Sequence, residues 1–387
     1  MTDWYQQLGQ ATLNWANLPF WQGPQDRLGA LGHRPLTLSV SPEGLLAQVD
    51  TDSSVAEVVA NYADTGYGFI TPPPGTTSWG TTLGEAKLRT LEAFVGNLDG
   101  MRILEIGGGN LFLASSLHSK YRIQRYVAID PAITIWPDLK GVEARRTYFP
   151  SSDLSGEHFD LVLAHNVLEH IPDAVSFLGA VRDVLVPNGR AFLTFPDVTR
   201  QFAHGDLNAI LHEHLLYLNE TSARTLFAKS GLGVVKWESA ADLASCLLAL
   251  APPDKDVVSE AVTAATKLLS TGMDGFLVLL PRAVSALNRE IETGRKVAFY
   301  GATNGLNNLL SLTGIGRNVP ILDGDRAKQG HFIPEGLQAI QWVGNADPHQ
   351  YETIFVTAGS FQPAIIKELT TTYAVPRDRI TGLFRPC

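Results

Sequence analysis

Apolar residues fall into two patterns along this chain: short dense runs closed by glycine, proline or an acid, and longer stretches with helical spacing between them. The clearest dense run is Arg102–Ile106, with Ile103, Leu104 and Ile106 apolar and Gly107, Gly108 and Gly109 directly after it. This predicts a short buried strand and a tight turn, with Asn110 and the apolar run Leu111–Leu117 opening a helix. The alternation continues. Strands are predicted at Tyr126–Ile129, Val142–Phe149, Phe159–Ala164 and Gly189–Phe195, with a helix at Ala174–Leu185 and a turn at Val186–Gly189 before the last of them. Upstream, Gly84–Asn97 has the spacing of an amphipathic helix, and Leu36–Val40 and Leu45–Val49 flank Ser41-Pro42-Glu43-Gly44 as a β-hairpin. A second alternating series starts at Lys296–Leu312, continues with strands at Val319–Asp323 and Glu352–Thr357, and ends with a helix at Pro363–Thr371. Residues 254–293 read mostly as helix.

Strand, glycine turn and helix form a ligand site at the carboxyl end of a strand, because glycine lets ligand atoms approach bare backbone and the helix N-terminus offers free N–H groups. The chemistry around the turn selects the ligand. A dinucleotide site prefers a third glycine where this chain has Phe112, and Glu105 inside the strand repels phosphates but suits a cation. The bland alternative is a glycine-rich turn with no ligand. Asp130 closes the second strand about twenty residues on, placed either to accept hydrogen bonds from ribose hydroxyls or to cap the next helix. His212-Glu213-His214 suits acid–base work, with a neutral imidazole as base and Glu213 orienting a ring, or else it is a structural pair. A zinc reading of these three lacks further ligands, so no metal is expected.

Composition narrows the classes. The 387 residues suit two or three domains, and a net charge of −9 without a dense Lys/Arg block speaks against a nucleic-acid surface. Two cysteines, Cys246 and Cys387, cannot form a disulfide framework or a four-cysteine zinc site. No apolar run has membrane-spanning length and Met1–Gln7 is not a signal peptide, so a cytoplasmic protein with a small-molecule substrate is expected, as monomer or homodimer.

The strand-end motif E-x-G-x-G at 105–109, with Leu111 in place of the usual last glycine, resembles the first motif of class I S-adenosylmethionine (SAM) methyltransferases. His165-Asn166-Val167-Leu168-Glu169-His170-Ile171 after the fourth strand resembles their fourth motif. The resemblance implies a Rossmann-like α/β core that binds SAM through Glu105, Gly107, Gly109, Asn110 and Asp130. It places Asp153 beside the adenine (or in a plain turn), and His165 and Asn166 where methyl and substrate meet. Glu169 and His170 would begin the next helix. H-E-H-L-x-Y at 212–217 with G-L-x-V-V at 231–235 resembles the nucleotide-sugar C-methyltransferases, as does D-x-x-K-Q-G-H-F-I-P at 325–334. This implies a C-terminal Rossmann-like domain whose turn at Gly301, Asn304 and Gly305 docks the substrate's nucleotide, or is kept only for packing.

Expected units are a small N-terminal cap or lid (1–80), the SAM-binding domain (81–253) and the C-terminal docking domain (254–387). That family's zinc domain needs four cysteines, so residues 1–60, with Trp4, Trp15 and Trp21 among polar neighbours, are expected to replace it. Its usual tyrosine before the first histidine of H-E-H is Leu211 here. Tyr62, Tyr67, Phe69 and Tyr217 are candidate substrate contacts, the loop aromatics equally well packing residues. The expected reaction is C-methylation of a nucleotide-linked ketosugar, with His214 as base, His212 or Glu213 orienting it, and Asn166 or a pocket tyrosine steadying the enolate oxygen. The alternatives are an O- or N-methyltransferase on another metabolite, and a non-enzymatic binding module.

Overall fold

The computed structural model describes residues 12–21, 23–29, 32–41, 43–49, 78–133, 141–253 and 258–385. The elements, in chain order, are β1 (Thr12–Pro19), β2 (His33–Val40), β3 (Leu46–Val49), α1 (Ser78–Val95), β4 (Arg102–Ile106), α2 (Phe112–Lys120), β5 (Arg125–Ile129), β6 (Val142–Arg145), β7 (Phe159–His165), α3 (Ala174–Asp183), β8 (Leu185–Pro196), α4 (Thr199–His204), β9 (Leu216–Tyr217), α5 (Glu220–Lys229), β10 (Leu232–Ala240) and β11 (Leu243–Leu250). Then follow α6 (Val258–Asp274), α7 (Leu280–Glu292), β12 (Val297–Tyr300), α8 (Asn304–Thr313), β13 (Ile321–Asp323), β14 (Ile340–Trp342), β15 (Thr353–Val356), α9 (Gln362–Thr371) and β16 (Ile380–Gly382).

The central sheet has the order β10-β11-β8-β7-β4-β5-β6. Strands β8, β7, β4, β5 and β6 are parallel, and β11 runs antiparallel between β8 and β10. The dense apolar runs follow from this, because a parallel strand is covered on both faces. Alternate residues serve the two faces. Leu104, Val127 and Val162 join one core with Phe177, Leu178 and Phe227, while Ile103, Tyr126, Leu161 and Leu163 join another with Leu91, Phe94 and Leu117. Each fully buried leucine contributes about 1.5–3 kcal/mol relative to exposure. The chain builds β4, β5 and β6 outward and then crosses back to β7 on the other side of β4. The carboxyl ends of β4 and β7 therefore form the crevice where open α/β sheets bind ligands.

Several boundaries differ from the expectations. Helix α1 begins at Ser78, not Gly84. Strand β6 stops at Arg145 because β5, its partner among the described residues, ends opposite it at Ile129. Strand β8 begins at Leu185 and absorbs the expected turn at 186–189. Glu169 and His170 lie in a separate 3-10 turn, Leu168–His170, rather than in the next helix. Pro172 follows that turn, and Asp173 caps α3 by accepting from the Ser176 N–H at 3.0 Å.

The expected hairpin is present: β2 and β3 pair antiparallel with Val40 opposite Leu46. It belongs to a sheet of order β1-β2-β3-β9, so strands near the N-terminus are tied to the strand just after the H-E-H segment. Trp15 and Leu38 of this sheet share a core with Phe202 and Phe276 and with Leu306 and Leu310 of α8. The third sheet is all parallel, with order β14-β13-β12-β15-β16. No helix among the described residues is long and apolar enough to cross a membrane.

Candidate active site

The turn after β4 is shaped by backbone needs that only glycine meets at its first position. Gly107 has φ 78°, and a Cβ there would sit 2.5 Å from Val167 Cγ2. Leu111 also takes a left-handed conformation, φ 61°. This is the position where the resemblance expects glycine, and leucine bears a strain of about 1–2 kcal/mol there. Its side chain is 1% exposed, and that burial offsets the strain.

Glu105 lies under the turn, buried, accepting a hydrogen bond from Tyr126 Oη at 2.8 Å. Burial pushes its carboxyl up to about 8, against the hydrogen bond from Tyr126; nearby Asp130 adds to the rise and Lys87 counters it. Asp130 accepts from the Gly109 N–H at 3.1 Å and the Ala132 N–H at 2.6 Å, fixing its carboxylate at the mouth of the turn, with burial raising its pKa. Asn110 Oδ1 accepts from the Phe112 N–H at 3.3 Å. Asp153 stands on an exposed 3-10 turn, Ser152–Leu154.

The end of β7 faces this turn. His165 Nδ1 lies 3.2 Å from Thr194 Oγ1, and its Nε2 is buried with no hydrogen-bond partner. Burial and nearby Lys87 hold the ring neutral, its pKa pushed down to about 3. Asn166 has φ 53°, and its amide Nδ2 donates to Glu169 Oε1 at 3.1 Å.

The fold brings the H-E-H segment to the same place and gives its residues different surroundings. His214 packs edge-on against His170, ring centroids 5.2 Å apart. Burial, with His170 adding, holds the His214 ring neutral. His212 points elsewhere: its Nε2 lies 3.3 Å from the Arg34 carbonyl and its ring packs on Phe20. The expectation that His212 joins the chemistry is thus corrected, because the N-terminal sheet claims its ring. Glu213 meets the cluster through its backbone carbonyl, which stands 2.8 Å from His170 Nδ1. Tyr217 is fully buried and its hydroxyl donates to the Leu211 carbonyl at 3.1 Å, so it supports the loop from beneath and offers no ligand contact. Tyr62, Tyr67 and Phe69 lie outside the described residues.

Two residues emerge that the sequence reading passed over. Gln48 Nε2 donates to the carbonyls of Leu211, His212 and His214 at 3.0, 3.0 and 2.7 Å. No local signal marks it, since its partners lie over 160 residues away. Gln48→Ala leaves three carbonyls without this donor, with an expected loss of about 1–3 kcal/mol. Turnover should fall while SAM affinity, measured by calorimetry, stays near the parent value. Lys87 is the second. It lies four residues before Leu91 and seven before Phe94, so it is a charge on the buried face of α1, and that spacing was the signal. Burial lowers its pKa, and the charges of Glu169 and Glu105 partly restore it.

The C-terminal turn is the larger correction. Gly301 closes β12 and α8 opens at Asn304, as expected, but the ligand position is filled by the chain itself. Asn208 Oδ1 accepts from the Gly305 N–H at 2.9 Å, and its Nδ2 donates to the Thr357 carbonyl at 2.8 Å. Asn304 Nδ2 donates to the Ile210 carbonyl at 2.7 Å. A Cβ on Gly305 would meet Asn208 Cγ at 2.6 Å. Gly301 donates its N–H to the Leu322 carbonyl at 2.8 Å and accepts from Thr357 Oγ1 at 2.6 Å. The glycines at this turn admit a neighbouring loop, whose Asn208 side chain takes the Gly305 N–H expected to face a nucleotide.

The electrostatics of Glu105 give a testable pH dependence. A carboxyl raised from its ordinary 4.5 to about 8 is protonated in the ligand-free fold across that window and ionised in the unfolded chain. Ligand-free stability is therefore expected to fall as pH rises through the window. A bound cation favours the ionised form, so SAM affinity should rise with pH up to about 8. Glu105→Gln should flatten both trends, read by denaturation and calorimetry across pH.

A methyltransferase-domain family model matches residues 81–236, the span that holds the glycine turn, the β7 motif and the H-E-H segment. Among characterised proteins, the chain is 26% identical to the C-methyltransferase NovU of Streptomyces niveus over 264 residues, which are 62% of this chain and 63% of NovU. The chain thus spans less than two thirds of that relative. Among solved structures, a complex of DhpI with SAM and HEP is 15% identical, with a TM-score of 0.37, covering 52% of this chain and 98% of DhpI. A SAM-dependent methyltransferase from Mesorhizobium loti is 13% identical, with a TM-score of 0.36, covering 42% of this chain and 97% of its own. Residues 81–236, which carry the acid-and-glycine turn at the switch point of this strand order, are thus the part of the chain that is similar to a methyltransferase domain.

Proposed function

We propose that the protein methylates a carbon atom of a nucleotide-linked ketosugar. The observation that carries this reading is the pairing of His214 with His170, Asn166 and Glu169 at the carboxyl end of β7, across from the SAM turn. SAM supplies a methyl group made electrophilic by its sulfonium sulfur. The chain's task is to make an acceptor carbon nucleophilic. His214, held neutral, takes the proton beside the ketone and keeps it as imidazolium, leaving an enolate. Asn166, whose amide already donates into this cluster, is placed to steady the enolate oxygen with its second N–H. His170, anchored by the Glu213 carbonyl, fixes the position of the His214 ring. The name of the NovU relative, a C-methyltransferase, supports carbon over oxygen or nitrogen as the acceptor.

The test is turnover with SAM and a panel of nucleotide-linked ketosugars, followed by proton NMR of the product. A new methyl resonance on carbon, without the downfield shift of an attached oxygen or nitrogen, is expected. An O- or N-methyl product would overturn the carbon assignment.

A further inference from the structure

The same corner of the cleft holds a second constellation, of a kind the sequence spacing of H-E-H does not reveal. Ligand-type atoms of Glu169, His170 and His214 all lie within 4.8 Å of one another. Glu169 is 2% exposed; its Oε1 accepts from Asn166, while its Oε2 is buried with no hydrogen-bond partner. His170 Nδ1 is engaged by the Glu213 carbonyl at 2.8 Å, which leaves Nε2 as the ring atom facing Glu169 Oε1, 3.9 Å away. An imidazole whose Nδ1–H is held by a backbone carbonyl, with Nε2 turned inward, is the arrangement that presents histidine to a metal. Two imidazoles and one carboxylate suit a borderline transition-metal cation such as zinc or cobalt, with a further position open to water.

We infer that Glu169, His170 and His214 form a binding site for a divalent transition-metal cation. A cation there satisfies the Glu169 oxygen and brings the two imidazoles onto one centre. Metal binding disables the proposed base, because an imidazole bound to a metal has no lone pair for a substrate proton. Zinc or cobalt is therefore an inhibitor of the ligand set that performs the chemistry. Binding itself does not depend on the methyl-transfer reading, while the inhibition does.

The test is titration of the full, metal-stripped chain with cobalt(II) alone, followed by its visible d–d absorption. Saturable uptake of one cobalt per chain, with the strong bands of a four-coordinate nitrogen–oxygen site, is expected. His170→Ala and Glu169→Gln should each weaken it by more than about tenfold. Circular dichroism checks that the variants fold, and His214→Gln serves as a third variant that keeps side-chain bulk. The absence of saturable uptake, or uptake unchanged in all three variants, overturns the site. If cobalt binds but leaves turnover untouched, the site stands and the role of His214 as base falls.

Discussion

His214→Ala is expected to lower kcat by about 10²–10⁴-fold, the usual contribution of a general base, while SAM affinity stays near the parent value. The split follows from where the residues sit. The turn at 107–109, Glu105 and Asp130 belong to β4 and β5, and none of their hydrogen bonds involves His214. His214 touches the cleft from the other side, through His170 and Tyr217. Because its ring also packs against Tyr217, alanine leaves a small void, and His214→Gln keeps volume and hydrogen bonding while removing the base. Both variants should lose turnover and both should bind SAM in calorimetry. Turnover retained by either one, with the acceptor used by the parent, would remove His214 from its proposed role.

The sequence made the glycine turn and its flanking acids legible and left the surroundings of the loop obscure, for a physical reason. Glu105, Gly107 and Asp130 are placed by strand ends, and a strand end fixes its own residues within a few positions. A three-residue loop segment has no such frame. His212 and His214 are two apart in a turn, and only Phe20 and Arg34, far away in the chain, decide that one ring faces the N-terminal sheet while the other faces His170. Glu169 and His170 were visible as a motif, but their use as a cluster with His214 depends on the Glu213 carbonyl. The C-terminal turn shows how two uses can share one chemistry. Free N–H groups at a helix start accept phosphate oxygens or an asparagine side chain equally well, and here Asn208 arrives first.

The segment that carries Asn208 also holds a buried carboxylate that shares one counter-charge with a second. Asp206, fully buried, and Asp242 share Arg385 between them. The Arg385 Nη2 lies 3.1 Å from Asp206 Oδ2 and 2.5 Å from Asp242 Oδ2, and Ser360 donates to that same Asp242 oxygen. This one guanidinium joins the loop leading to His214, the β10–β11 hairpin and the end of the third sheet. Arg385→Met leaves two buried carboxylates without a counter-charge, and the expected cost is about 3–5 kcal/mol in chemical denaturation of the full chain. The pH dependence identifies the cause. Burial already raises the Asp206 pKa, with Arg385 opposing the rise, so removing the arginine raises it further. An acid raised in the fold contributes less stability as pH increases past its ordinary range, so the gap between variant and parent should be wider at neutral than at acidic pH. Adding Asp206→Asn to the variant removes one stranded charge and should recover part of the loss, at neutral pH more than in acid. A deficit that is the same at both pH values, or no recovery in the double variant, would mean that Arg385 acts through packing of its stem and not through its charge.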